Sequence, residues 1–153
     1  MPYHVTSKQV GQKIWNTQTL DVNNEINTNR KRRQKMREEI DQKANEKYPD
    51  WVNRSEAVFA WATFEKATQY AKKFQEPAIV EFDISGTAWC AESFLVEYLH
   101  HEYSDQLDDK LIIQLIEQSR KWNGEHNEEI EIWFKPESVN EIYSVTDEFG
   151  NPL

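Results

Sequence analysis

The chain has 153 residues, of which 38% are hydrophobic and 29% charged, and this composition is typical of a single globular domain that buries a core. Its formal net charge of −9 argues against non-specific binding to nucleic acid, because a polyanion is attracted to a positive surface. The four glycines lie far apart in the chain, which excludes the glycine-rich loops that bind phosphate.

The N-terminal third predicts a strand and then a basic helix. Residues 2–6, which surround His4, are rich in β-branched side chains and predict the first strand, whereas 16–28 is typical of a loop. High helix propensity predicts a largely solvated helix over about 29–47, inserted into the domain. Its basic start, Arg30–Arg37, opposes the helix dipole, which fits either a plain surface helix or a contact with a phosphate-bearing partner. The apolar stripe of this helix is narrow and consists of Met36, Ile40 and Ala44.

The stretch Val58–Ala71 predicts a short strand, a turn and a helix. The strand covers about residues 56–61, and Thr63 is a suitable N-cap for the helix. Two aromatic residues, Phe59 and Tyr70, stand eleven positions apart across the turn. Taken alone they indicate core packing, because one face of the helix is apolar and carries Phe64, Ala67, Tyr70, Ala71 and Phe74.

The C-terminal half alternates between predicted strands and helices. The elements are a half-buried strand (78–84), a helix (91–99), a helix (111–122) ending at Asn123-Gly124, a strand (130–134), a helical turn (136–143) and a last strand or tail (144–153). Since strands and helices are mixed without an internal repeat, we expect one α+β domain over 1–153.

Two carboxylates on one predicted strand are the strongest candidates for acid–base or electrostatic chemistry. The face that carries Glu129 and Glu131 also carries Trp133, and the opposite face is apolar. The acids fit either the solvent-facing side of an edge strand or the lining of a cleft in which one of them is functional.

The sequence gives little evidence for a metal site or a reactive nucleophile. His100 and His101 are adjacent, so their side chains diverge by about 100° on a helix and do not converge on one ion. We therefore expect no metal. The single cysteine, Cys90, cannot form an internal disulfide and is typical of a small buried residue. Because no apolar segment is long enough to span a bilayer, we expect a cytoplasmic protein without a membrane partner.

Taken together, three motifs resemble the ADP-ribosyltransferase superfamily, on the branch with a His-Tyr-Glu triad that includes poly(ADP-ribose) polymerases and small bacterial and phage members. The run Tyr3-His4-Val5-Thr6 is similar to the family's first-strand His-Gly-Ser/Thr. Phe59 and Tyr70 have the eleven-residue separation of the two tyrosines that sandwich nicotinamide in the family. Glu129 or Glu131, ahead of a proline-containing turn, is similar to the strand that opens with the catalytic glutamate.

The resemblance implies a split, mostly antiparallel sheet with surrounding helices, NAD as substrate and an unknown acceptor, either protein or nucleic acid. His4 would bind ribose hydroxyls, Phe59 and Tyr70 would stack on the cationic nicotinamide ring, and Glu131 would stabilise positive charge at the anomeric carbon. The implied catalytic residues are Glu131, Glu129 and His4. The implied cofactor-binding residues are His4, Thr6, Phe59, Trp61, Tyr70, Arg32 and Arg33.

This chain departs from the family at three positions. Phe59 replaces a tyrosine, Val5 replaces a glycine, and Ala67 stands where polymerases have a serine that holds the nicotinamide amide. These departures keep open a second hypothesis, in which the protein binds or regulates on the same fold without turnover. A third, transfer of a 2′-phosphate from RNA to NAD, would require several basic residues in the site, and only Arg30–Arg37 could supply them.

Overall fold

An antiparallel β-sheet forms the centre of the protein. The computed structural model describes the backbone of residues 1–20, 28–102 and 109–153, and the side chains of 1–20, 34–99 and 110–153. Within these ranges the strands are β1 (Tyr3–Ser7), β2 (Val58–Trp61), β3 (Pro77–Ile84), β4 (Ala88–Glu92), β5 (Arg120–Lys121), β6 (Ile130–Phe134) and β7 (Val139–Thr146). They pair in the order β5-β4-β6-β2-β1-β3-β7, each antiparallel to its neighbours. The expected α+β class is confirmed.

Helices cover both faces of the sheet. Those in the described ranges are α1 (Lys8–Thr17), α2 (Thr28–Lys47), α3 (Phe64–Ala71), α4 (Ser93–Glu102) and α5 (Asp109–Gln118). Helix α1 packs on one face, against a core that includes Val80 and Ile132. The other four lie on the opposite face, where α2, α4 and α5 enclose Trp133 and α3 covers Ile79. None of the helices in the described ranges is both long and apolar enough to cross a bilayer.

The seven strands form one sheet, and its weakest junction, referred to as the split, lies between β1 and β2. Strand β1 has five registered pairs with β3 but only one with β2, between Tyr3 and Trp61. Strand β2 in turn has four registered pairs with β6. Two half-sheets, β5-β4-β6-β2 and β1-β3-β7, therefore meet at one residue pair. Across the gap, Nδ1 of His4 is 2.8 Å from the carbonyl oxygen of Phe59.

Local sequence signals predicted part of the first half of the chain. For residues 10–15 the sequence allowed either a helical turn or a short strand, and they lie in α1, which ends at Thr17, within the stretch 16–28 predicted as a loop. Residues 21–27 of that stretch lie outside the described residues. Helix α3 begins after Thr63, whose Oγ1 accepts a hydrogen bond from the backbone N–H of Lys66 at 3.2 Å. Helix α2 spans Thr28–Lys47, close to its predicted bounds. The expectation that α2 is largely solvated was incomplete, because its buried stripe also contains a charged residue and consists of Met36, Ile40, Asp41 and Ala44.

The elements predicted for the second half of the chain differ more from those in the structure. Residues 88–92 form β4, although 91 and 92 were predicted to begin a helix and 88–90 were assigned to no element. Helix α5 ends at Gln118 and not near Gly124, because the chain turns into the short strand β5. A 3-10 turn covers only Pro136–Ser138, and β7 follows at once. Strand β6 is not an edge strand, since it lies between β4 and β2 with all five residues buried.

Candidate functional site

The three motifs identified in the sequence lie on three neighbouring strands, β6, β2 and β1. Across the β6–β2 pair, Glu131 is opposite Trp61 and Trp133 is opposite Phe59. Across the split, Trp61 is opposite Tyr3. Directly opposed residues of antiparallel strands point to the same face, so these five side chains share one face of the sheet.

The carboxylate of Glu131 is buried and paired with an arginine. Its side chain is 9% exposed, and Oε1 accepts a hydrogen bond of 2.7 Å from Nη2 of Arg54. A buried carboxylate requires such a partner, because removal from water disfavours an unpaired charge. Arg54 makes no further hydrogen bond to this carboxylate through Nε or Nη1, which have no partner among the described residues. One oxygen of Glu131 is thus fixed by Arg54.

Arg54 is held on several sides. Its guanidinium carbon lies 4.8 Å from the ring centroid of Phe59 and 4.4 Å from that of Trp133, within the range of cation–π attraction. Its side chain is 1% exposed. Among the described residues, Nε and Nη1 of Arg54 have no hydrogen-bond partner. The guanidinium is therefore fixed by aromatic faces and by one carboxylate.

The segment that carries Arg54 is anchored to α2 by Asp41. One carboxylate oxygen of Asp41 accepts hydrogen bonds from Nε1 of Trp51 at 2.9 Å and from the backbone N–H of Arg54 at 2.7 Å. The other oxygen accepts a hydrogen bond from the backbone N–H of Ser55 at 3.0 Å. A second connection joins Nδ2 of Asn45 to the side chain of Asn53. Helix α2 thus fixes the backbone on both sides of Arg54.

Indole groups attach the same segment to the sheet. Nε1 of Trp133 donates to the carbonyl oxygen of Val52 at 2.9 Å, and Nε1 of Trp89 donates to that of Asp50 at 3.3 Å. Trp51 packs between them, with ring centroids 5.1 Å from Trp89 and 5.2 Å from Trp133. Each indole is buried while its N–H remains hydrogen-bonded, so the segment is firmly packed.

Tyr70 belongs to a different aromatic cluster. Its ring centroid lies 5.4 Å from that of Trp61 and 6.2 Å from that of Phe74, and the ammonium of Lys73 stands 4.7 Å from the ring. Phe59 instead has guanidinium neighbours, Arg54 and also Arg37, whose guanidinium carbon is 4.4 Å from the ring centroid. A nicotinamide sandwiched between Phe59 and Tyr70 remains a prediction. Trp61, 5% exposed, already lies against Tyr70.

His4 lies at the split and points away from Glu131. A carbonyl oxygen only accepts, so Nδ1 of His4 donates to Phe59 and the neutral ring keeps its lone pair on Nε2. Burial lowers the pKa of His4 below its ordinary value of 6.5, although the hydrogen bond to Phe59 acts in the opposite direction. Strand alternation puts His4 and Thr6 on the α1 face. Thr6 is 9% exposed there, close to Gly11.

The remaining predicted residues lie in varied surroundings. Glu129 is exposed in the turn before β6, where its backbone N–H donates to Oδ1 of Asn127. Ala67 is fully buried on the core-facing side of α3. Arg32 and Arg33 lie in α2, with side chains outside the described ranges. No group of three potential metal ligands occurs among the described residues.

The sequence interpretation missed Arg54 and Asp41. Arg54 follows two apolar residues, Trp51 and Val52, in a segment without helical or strand periodicity, and such a segment gives no sign that its arginine is buried. Asp41 offered a weak signal, because it lies three residues before Ala44 on the apolar stripe of α2. A charged residue on such a stripe indicates a buried polar contact.

No protein-family model, curated protein or solved structure matches this chain. The resemblance to ADP-ribosyltransferases therefore depends on the motif residues and their surroundings alone.

Proposed function

We propose that the protein is an NAD-dependent ADP-ribosyltransferase, which cleaves the bond between nicotinamide and ribose and transfers ADP-ribose to an acceptor. The supporting observation is the adjacency of β6, β2 and β1 beside the split in the sheet. These strands come from distant parts of the chain, and each carries one of the motifs on which the resemblance is based.

Glu131 is the proposed catalytic carboxylate. In the reaction, nicotinamide leaves with the electron pair of its bond to C1′ of the ribose and becomes neutral, while positive charge develops on the ribose. An acceptor nucleophile then bonds to C1′ and loses its proton. A fixed carboxylate stabilises the positive charge and accepts a hydrogen bond from a ribose hydroxyl. Oε2 of Glu131, the oxygen that Arg54 is not seen to bind, would take this role.

His4 and the aromatic residues would bind the dinucleotide. With Nδ1 bound to Phe59, Nε2 of the neutral His4 ring can accept a hydrogen bond from a ribose hydroxyl at the split. Tyr70 is half-buried, and to stack on a flat cationic ligand its ring would have to exchange a present neighbour, such as Lys73, for that ligand. The proposed site therefore crosses the split and does not lie on one face alone.

A second candidate is a binding or regulatory protein that has lost turnover. Two observations favour it: Trp61 occupies space beside Tyr70, and Glu131 is neutralised by Arg54. In this case NAD or a similar nucleotide would bind without release of nicotinamide.

The test follows both halves of NAD. Purified protein is incubated with NAD labelled in nicotinamide and, separately, in adenosine, with the protein itself, a protein mixture and oligonucleotides as acceptors. Glu131→Gln removes the charge at the buried position, and Glu129→Gln is the matched control at an exposed position two residues away. We expect nicotinamide release that falls at least about 100-fold in Glu131→Gln, as for loss of one transition-state contact, and not in Glu129→Gln.

Each outcome separates the candidates. Release without transfer to any acceptor indicates NAD hydrolysis at the same site. Stabilisation of the protein by NAD without release would select the non-catalytic candidate. Neither release nor stabilisation would overturn both, since both require bound NAD.

A further inference from the structure

Arg54 is a charged group in the described core that the proposed reaction does not use. It is almost completely buried, contacts Glu131 directly, and is oriented by Phe59, Trp133 and Asp41. Buried arginines that contact a candidate catalytic carboxylate either block it or hold it in position.

Stability alone does not account for an arginine at this position. A buried ion pair contributes no more to folding, on average, than a well-packed apolar pair of similar volume. Here the arginine also leaves Nε and Nη1 without partners among the described residues, which adds an unfavourable term. An apolar pair of similar volume in place of both Arg54 and Glu131 would avoid these costs.

The geometry fits a positioning role better than a blocking role. Nη2 binds Oε1, and Nε and Nη1 have no partner among the described residues, so the arginine itself does not occupy the second oxygen of Glu131. The guanidinium faces Phe59 and Trp133, which are themselves a registered pair on β2 and β6. Because the backbone of Arg54 is fixed by Asp41 and its head by two rings, the arginine has little freedom to swing away and uncover a site.

We propose that Arg54 is a positioning residue for Glu131: it fixes the rotamer of the carboxylate so that Oε2 faces the reacting ribose. This inference rests on the proposed function and adds to it a residue outside the three motifs. It also gives Phe59 a role, since a phenyl ring supports the guanidinium and needs no hydroxyl for this purpose.

The test compares nicotinamide release by Arg54→Met, Arg54→Lys and the wild type. Arg54→Met keeps much of the packing volume and removes the hydrogen bond to Glu131. We expect kcat to fall about 100-fold with KM changed less than about threefold, because a misplaced catalytic group lowers the rate more than the binding of substrate. Arg54→Lys keeps the charge and should recover part of the loss. Arg120→Met is the matched control, because it removes an exposed ion pair, with Glu125, outside the site.

A double variant keeps the test decisive if Arg54→Met folds poorly. Glu131→Gln combined with Arg54→Met leaves no unpaired buried charge and should release nicotinamide no more slowly than Glu131→Gln alone, because Arg54 acts through Glu131. Additive losses, an unchanged kcat in Arg54→Met, or a raised kcat would each overturn the positioning role. Absence of release from the wild type would instead overturn the proposed function, and this inference with it.

Discussion

Phe59 and Tyr70 stand at the two ends of one strand-turn-helix stretch, but they lie in regions of opposite character. Phe59 is part of a charged and aromatic core with Arg54, Glu131 and Trp133, in which a polar group is fixed by several contacts. Tyr70 packs on Trp61 and Phe74 near the surface, and its cationic neighbour, Lys73, is exposed.

The difference shows what an aromatic spacing can and cannot specify. A separation of eleven positions allows the strand and the helix to place both rings on the same side of the sheet. It does not determine their neighbours, which come from α2, from β6 and from residue 61. A phenyl ring between guanidinium groups orients charge, whereas a half-buried tyrosine is suited to contact a ligand.

We expect loss of Asp41 to have the largest effect on the difference between the regions around Phe59 and Tyr70. Asp41→Ala leaves three buried or half-buried N–H groups without an acceptor, so we expect the free energy of unfolding to fall by about 3 kcal/mol in urea denaturation. Hydrogen exchange should increase in the segment 51–56 and remain unchanged in α3. Glu38→Ala, on an exposed position of the same helix, should change stability by less than about 0.5 kcal/mol. Equal increases in both regions would show that they are not independent.

A smaller effect should separate the two aromatic residues. Phe59→Leu removes a ring that covers the buried guanidinium of Arg54, and we expect a loss of about 2 kcal/mol in stability. Tyr70→Leu removes a ring from a more exposed cluster, and we expect a loss of about 1 kcal/mol. Urea unfolding of both variants at one pH measures the difference. If Tyr70→Leu were the more destabilising variant, Tyr70 and not Phe59 would belong to the rigid region.

The fold was predictable where local signals determine it. Thr63 as a cap, the alternation in β3 and the apolar stripe of α2 are properties of neighbouring residues, and each led to the correct element. Strand β4 was missed because a strand buried on both faces lacks alternation and resembles the start of a helix. The order of the strands requires contacts between distant residues, which no local pattern contains.

The candidate site was predictable only in part, for a related reason. Glu131 and His4 were identified as residues, but the sequence indicated neither the partner of Glu131 nor the face of His4. Arg54 is 77 positions from Glu131, and their pairing depends on how α2 docks the intervening segment. Alternation along β1 is readable from the sequence, but the position of the split, which determines what His4 can reach, is not.

His4 joins the two half-sheets, and its titration offers the smallest and most local test. The pKa of His4 lies below 6.5 in the folded protein, so the unfolded chain binds more protons between the two pKa values. The contribution of His4 to the free energy of unfolding is then constant at pH values above the pKa of His4 in the unfolded chain, which is 6.5. It decreases as the pH falls through this value. We expect a slope of less than about 1.4 kcal/mol per pH unit, the limit for one proton.

His4→Gln supplies the comparison, because an amide can still donate to the carbonyl oxygen of Phe59 and does not titrate. Urea unfolding of both proteins is measured between about pH 5.5 and pH 8, roughly the range in which histidine titrates. The difference between the two proteins removes the contributions of the other histidines. The wild type should lose stability faster than His4→Gln below about pH 6.5, and the two should run parallel above it. Parallel curves over the whole range would mean that protonated His4 is tolerated at the split. Burial would then not hold the ring in its neutral form, and the lone pair on Nε2 would not be reserved for a ligand.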